Sequence, residues 1–351
     1  MISRRTSRFS DCCFSKQERP DVKCIAPDDT FSDCDKLIKS DSLRYIAWFV
    51  LVFIFGANGI ATALRMSHED PSNIQNIFIQ SLNFGDVLMG VFVAGMVNRD
   101  LTWRDEYYLH DHEWRSGVAC KVLGAMALTS SEVCVLTLAL IAYDRHAKVV
   151  KNMLHDPMEP HTARLLVGLI WFISISISVF PAVIKSYFYN EEKSEGYYGT
   201  NGLCLPLQLP GEKDPAWEYC LVIFGIFNFL VACYMVVVYC KMFYATYVSA
   251  RDSNNEHQKK KEKKMACRFV AIVLTDILCW FPIATLIYMS LGGIVSDTEN
   301  DLYAWFSICV ATINSAINPF IYTITTPFFW PKFKEWFQKI KARCQSSCCK
   351  F

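Results

Sequence analysis

Apolar residues fall into seven blocks along the chain, with approximate limits 44–66, 74–97, 118–145, 164–184, 218–243, 267–291 and 303–324. About 20 such residues wound as a helix cross the hydrocarbon core of a bilayer. The pattern predicts an all-α fold, a seven-transmembrane helix bundle whose short linkers make consecutive helices antiparallel neighbours. Asn314, Ser315, Asn318 and Pro319 interrupt the seventh block, which a bundle tolerates because neighbouring helices satisfy the freed backbone groups. After Thr326 the pattern changes. Phe328, Phe329, Phe333, Trp336, Phe337 and Ile340 interleave with Lys332, Lys334, Lys339 and Lys341, as in a short amphipathic helix lying in the interface plane. Cys344, Cys348 and Cys349 follow it as palmitoylation candidates, with a plain solvated tail as the alternative. Three regions result: an N-terminal tail 1–43, a membrane domain 44–326, and a cytoplasmic helix and tail 327–351.

Lysine and arginine set the orientation. The loops and tail assigned to the cytoplasm carry nineteen, the three outer loops seven, which favours an outside N terminus and a cytoplasmic C terminus. The run Lys259-Lys260-Lys261-Glu262-Lys263-Lys264 abuts the sixth block, so it reads as a helix extension at a lipid surface or as a solvated charged face. Composition narrows the classes further. The chain is 52% hydrophobic with a net charge of +1, so no global field points to nucleic acid. Its sixteen cysteines show no zinc-like spacing, no cofactor is expected, and no nucleophile–base arrangement suggests an enzyme. The first forty residues are polar and charged, with no cleavable signal peptide among them.

The third block runs from Cys120 to Arg145, an interval of about 37 Å at 1.5 Å per residue, so the cysteine and the Asp144-Arg145-His146 triplet mark opposite membrane faces. Two acids, Asp86 and Glu132, lie inside blocks; a charge at bilayer centre costs about 2.5–3.5 kcal/mol on insertion scales, so both should face the bundle interior. Pro282 kinks the sixth helix beside Trp280 by removing a backbone donor. Asp144-Arg145-His146, Cys279-Trp280-Phe281-Pro282 and Asn318-Pro319-Phe320-Ile321-Tyr322 together resemble the rhodopsin-like family of G-protein-coupled receptors. The resemblance implies a disulfide between Cys120 and Cys204. It implies a polar core of Asn58, Asp86, Asn314 and Asn318, which in relatives holds a sodium ion; Cys134 stands where serine is common, so the network is expected and the ion is not. It implies that Arg145 is held by Asp144 and clasped by Glu262, with a solvated Glu262 as the equal alternative. Trp280, Pro282, Asn318, Pro319, Tyr322 and Tyr239 would form the moving parts.

Further stretches look like the leucine-rich-repeat-containing branch, and within it like relaxin-family peptide receptors. They are Ser42-Leu43-Arg44, Glu132 within Ser130-Ser131-Glu132-Val133, the loop 197–207, Asp276 six residues before Pro282, and Tyr322-Thr323-Ile324-Thr325-Thr326. Such receptors carry a repeat ectodomain; about forty residues precede the first block here, with Cys12, Cys13, Cys24 and Cys34 among them, too few for three stacked repeats. The reading is a plasma-membrane receptor with an extracellular peptide or protein ligand, a heterotrimeric G protein, and arrestin as a further partner. The alternative is a non-signalling chain that dimerises with a full-length relative. A transporter lacks support, since no inverted repeat is visible.

Overall fold

The computed structural model describes residues 31–68, 73–150, 158–191, 195–206 and 216–252, with shorter stretches at 281–282, 284–289, 312–320 and 330–338 and single residues at 275, 278, 292 and 305. Glu262, Asp276, Cys279, Trp280, Tyr322, Cys344, Cys348 and Cys349 lie outside the described residues.

Helix α1 (Asp41–His68) starts where Ser40 caps it, the Ser40 hydroxyl accepting from Leu43 N at 3.4 Å. Helix α2 (Ile74–Thr102) is capped by Asn73, whose side chain accepts from Gln75 N. A short helix α3 (Tyr107–Ser116) leads into α4 (Val118–Val150). Helix α5 (Pro160–Val183) opens on a proline, whose missing N–H would be unsatisfied there in any case. The turn α6 (Lys185–Phe188) feeds a two-stranded antiparallel ribbon, β1 (Tyr189–Asn190) with β2 (Glu195–Gly196), in the register Tyr189↔Gly196. After the 3₁₀ turn Tyr197–Gly199 come α7 (Trp217–Cys220), a π-helical stretch Leu221–Phe227, and α8 (Asn228–Asp252).

Five of these segments are long and apolar enough to cross a membrane: Asp41–Met66, Ile74–Thr102, Val118–Lys148, Pro160–Val183 and Trp217–Val248. They agree with the first five apolar blocks, but several run longer. Helix α4 passes Arg145 and ends at Val150, because Ala147 and Lys148 are good helix formers with nothing to break the turn. Helix α4 is the hub, packing on α2, α5 and α8. By contrast α5 is mostly uncovered, with Leu165, Leu169, Phe172 and Val179 exposed as apolar side chains that face lipid do.

The core falls into two clusters. One, at the Cys120 end, gathers Phe31, Leu37, Ile38, Tyr107, Trp114, Phe188, Tyr197, Tyr198, Leu203 and Leu205. The other, toward Arg145, holds Phe78, Ile79, Leu82, Leu138, Ile141, Met235, Val238, Tyr239 and Met242. Residues 330–338 form a helix in which Phe333 stacks against Phe337, with Trp330 and Phe337 exposed.

Candidate functional site

At one end of α4 the loop after β2 lies across the helix. Cys120 and Cys204 are joined by a disulfide, and residues 196–199 and 201–206 are buried. Gly124 makes this approach possible: a Cβ there would sit 2.3 Å from the Tyr198 ring and 2.5 Å from the Cys204 carbonyl oxygen. The Tyr198 hydroxyl donates to Ser178 O on α5 at 2.6 Å, and burial raises its pKa well above the ordinary tyrosine value. Trp114 Nε1 donates to Gly202 O at 2.7 Å, tying α3 to the same loop.

The segment 31–40 covers this layer. Leu37 and Ile38 are buried; Ile38 N donates to Asp100 Oδ1 at 2.8 Å, and Tyr108 N donates to Cys34 O at 2.9 Å. Arg44 pairs with Asp100 and Asp41, and also donates to Ile38 O at 3.0 Å. Cys34 is itself disulfide-bonded. The polar tail read from the sequence thus ends in a half-buried strap, which the Asp100–Arg44 pair anchors.

Midway along the bundle, Asp86 is fully buried. Asn318 Nδ2 lies 3.1 Å and 3.2 Å from its two oxygens, and Cys134 Sγ lies 3.4 Å from Oδ1. Asn58 Nδ2 donates to Ile54 O and to Ser315 O, both at 3.1 Å, so α1 and α2 meet residues 312–319 here. The structure brings Asn58 and Asp86 against one helical stretch, Asn58 at the Ser315 carbonyl and Asp86 at the Asn318 amide. Asn314 is buried nearby in sequence, yet among the described residues no hydrogen bond joins it to Asp86. Among the described residues the Asn318 amide and the Cys134 thiol lie against the carboxylate, and these donors do not form the oxygen shell a hard cation takes. Pro319 lies in the same helical stretch, and Pro282 is helical as well.

Glu132, also fully buried, accepts from Asn228 Nδ2 at 2.9 Å; its other oxygen has no partner among the described residues. The π-helical stretch just before Asn228 sets which face of α8 that amide presents, and Tyr288 donates to the carbonyl of Gly225 within it at 2.7 Å.

At the far end of α4, Asp144 is buried and Arg145 and His146 are part-buried. Lys148 Nζ donates to Asp144 Oδ2 at 2.8 Å, whereas Arg145 makes no ion pair among the described residues. Tyr239 of α8 is buried in the cluster that holds Ile141 and Ala142. The sequence alone does not mark Asn228, Ser315, Asp100 or Lys148 as partners. Lys148 alone carries a signal in the sequence, its four-residue spacing from Asp144.

Residues 57–322 match the family described as "7 transmembrane receptor (rhodopsin family)". The chain belongs to that family, and so is a receptor built as a seven-transmembrane helical bundle. Relaxin receptor 1 of Mus musculus is 32% identical over 327 residues, 92% of this chain and 41% of that protein. Relaxin receptor 1 of Homo sapiens is 31% identical over 339 residues, 93% of this chain and 43% of its own length. "G-protein coupled receptor GRL101" of Lymnaea stagnalis is 30% identical over 329 residues, 94% of this chain and 28% of that relative. The chain therefore spans well under half the length of these curated relatives.

Proposed function

We propose that the chain receives an extracellular peptide or protein signal, relaxin-like in class, and passes it to a heterotrimeric G protein. The observation that carries this reading is the polarity of α4: a disulfide-anchored loop at one end, and Arg145 unpaired among the described residues at the other. The Cys120 end faces outward in this reading, in keeping with the lysine and arginine count and with the oxidising conditions a disulfide needs. A ligand acts on the layer formed by 31–40, α3 and the loop 195–206. The signal crosses through the Asp86–Asn318 contact and the Glu132–Asn228 contact, each of which joins two helices by a hydrogen bond able to exchange partners. At the inner end Arg145 meets the G-protein α subunit, with Tyr239 beside it. Residues 1–43 form the outer tail, 44–326 the signalling bundle, and 327–351 an interfacial helix whose Cys344, Cys348 and Cys349 carry palmitate. Arrestin binds the same inner face.

The test uses the full chain with an N-terminal epitope tag. Surface staining of intact cells is measured beside activation of each G-protein class, for wild type and Arg145→Ala. Surface signal with Arg145-dependent activation supports the reading. Retention inside the cell with no output favours a chain that acts by dimerising with a full-length relative.

A further inference from the structure

The acid of the Asp144-Arg145-His146 triplet is engaged by a residue outside the motif. Lys148 Nζ lies 2.8 Å from Asp144 Oδ2; the Asp144 side chain is 4% exposed and that of Lys148 42%. Arg145 directly follows Asp144, yet among the described residues its guanidinium has no ion pair and no hydrogen bond.

Helix geometry explains the preference. Residues four apart stand one above the other on a helix surface, and an acid placed N-terminal to its base is the favourable order. Adjacent residues point about 100° apart, so Arg145 must curl back to reach the same carboxylate. A nearly buried carboxylate must be paired by something, and Lys148 is the better-placed cation. The amine reaches from solvent, so it neutralises Asp144 without drawing Arg145 into the pair.

We propose that Lys148 is a regulatory competitor: by occupying Asp144 it leaves Arg145 unclamped, and so sets the ligand-free output of the receptor. This rests on the reading above, in which Arg145 is the G-protein contact. Removing the Lys148 charge returns Asp144 to Arg145 and lowers resting output. Removing the Asp144 charge as well abolishes the clamp whichever cation is present.

The experiment uses the full-length chain in lipid nanodiscs, without ligand, at matched receptor amounts. Recruitment of engineered G-protein α subunits of each class is measured for wild type, Arg145→Ala, Lys148→Gln, Lys148→Arg and the double variant Asp144→Asn/Lys148→Gln. Recruitment falls about fivefold in Lys148→Gln, or about 1 kcal/mol at 1.4 kcal/mol per decade. It is restored by Lys148→Arg and recovers in the double variant. A second readout follows the ¹³C-methyl signal of reductively dimethylated Lys148, which shifts when Asp144 becomes Asn.

Three outcomes overturn the proposal. If Lys148→Gln recruits as wild type while Arg145→Ala does not, the competitor role falls alone and Arg145 keeps its place. If the methyl signal is unmoved by Asp144→Asn, the ion pair is absent. If wild type recruits no more than Arg145→Ala while the methyl signal does shift, the pair stands and the G-protein role of Arg145 falls, taking the proposal with it.

Discussion

The two ends of α4 are held by different means. At the Cys120 end a disulfide, a glycine-permitted contact and a half-buried strap fix the loop layer in place. Phe188, Tyr197 and Tyr219 meet edge to face there, with centroids 5.2–5.7 Å apart. From midway down toward Arg145, aliphatic and thioether side chains pack with Phe78 and Tyr239, and helices are joined through single amides. A covalent, aromatic layer resists rearrangement, while contacts made by one amide can be exchanged for others. The difference suits a molecule that presents a fixed face on one side and changes shape on the other.

Four substitutions break or sharpen that contrast. The largest effect is expected from Cys204→Ser. The bridge closes a loop of 84 residues, and the chain-entropy model gives about 4–5 kcal/mol for its loss, read as a fall in melting temperature and in surface expression. Next comes Asp100→Asn, which leaves the Arg44 guanidinium, only 8% exposed, with Asp41 as its one carboxylate partner among the described residues; about 2.5 kcal/mol of stability should go, with Arg44→Leu/Asp100→Leu less damaged than either single change. Asn318→Ala leaves the buried Asp86 carboxyl short of two hydrogen bonds and should cost about 2 kcal/mol in thermal unfolding. Its effect on G-protein recruitment should exceed that of Asp100→Asn, although its effect on stability is smaller. Thr62→Val removes one bond from Asn83 at 3.2 Å, and a loss of about 1 kcal/mol is expected in the same assay. If the Asn318 change destabilised more than the disulfide change, the contrast between the two ends would fail.

Block length and a few motifs made the bundle legible in the sequence, since hydrophobic runs of membrane length leave few other folds. Asp86, Asn58 and Asn318 could be read as one cluster because the family resemblance supplies their pairing. Other features were hidden for physical reasons. Helix α3 has the sequence Tyr-Tyr-Leu-His-Asp-His-Glu-Trp-Arg-Ser, with only Tyr107, Trp114 and Arg115 buried, so no apolar period announces it. The strap 31–40 is polar by composition, and Leu37 and Ile38 become core residues only because Asp100, 62 residues beyond Ile38, takes a backbone donor there. The pairing of Glu132 with Asn228 bridges 96 residues across a π-helical stretch, whose extra residue per turn shifts the register that spacing arguments assume.

The most direct measurement is nucleotide exchange on purified heterotrimeric G proteins, with the full chain in nanodiscs, for wild type and Arg145→Ala at matched melting temperatures. Wild type is predicted to accelerate exchange on at least one G-protein class, with Arg145→Ala losing most of that acceleration and none of its stability. Equal exchange rates for the two proteins on every class would contradict the account.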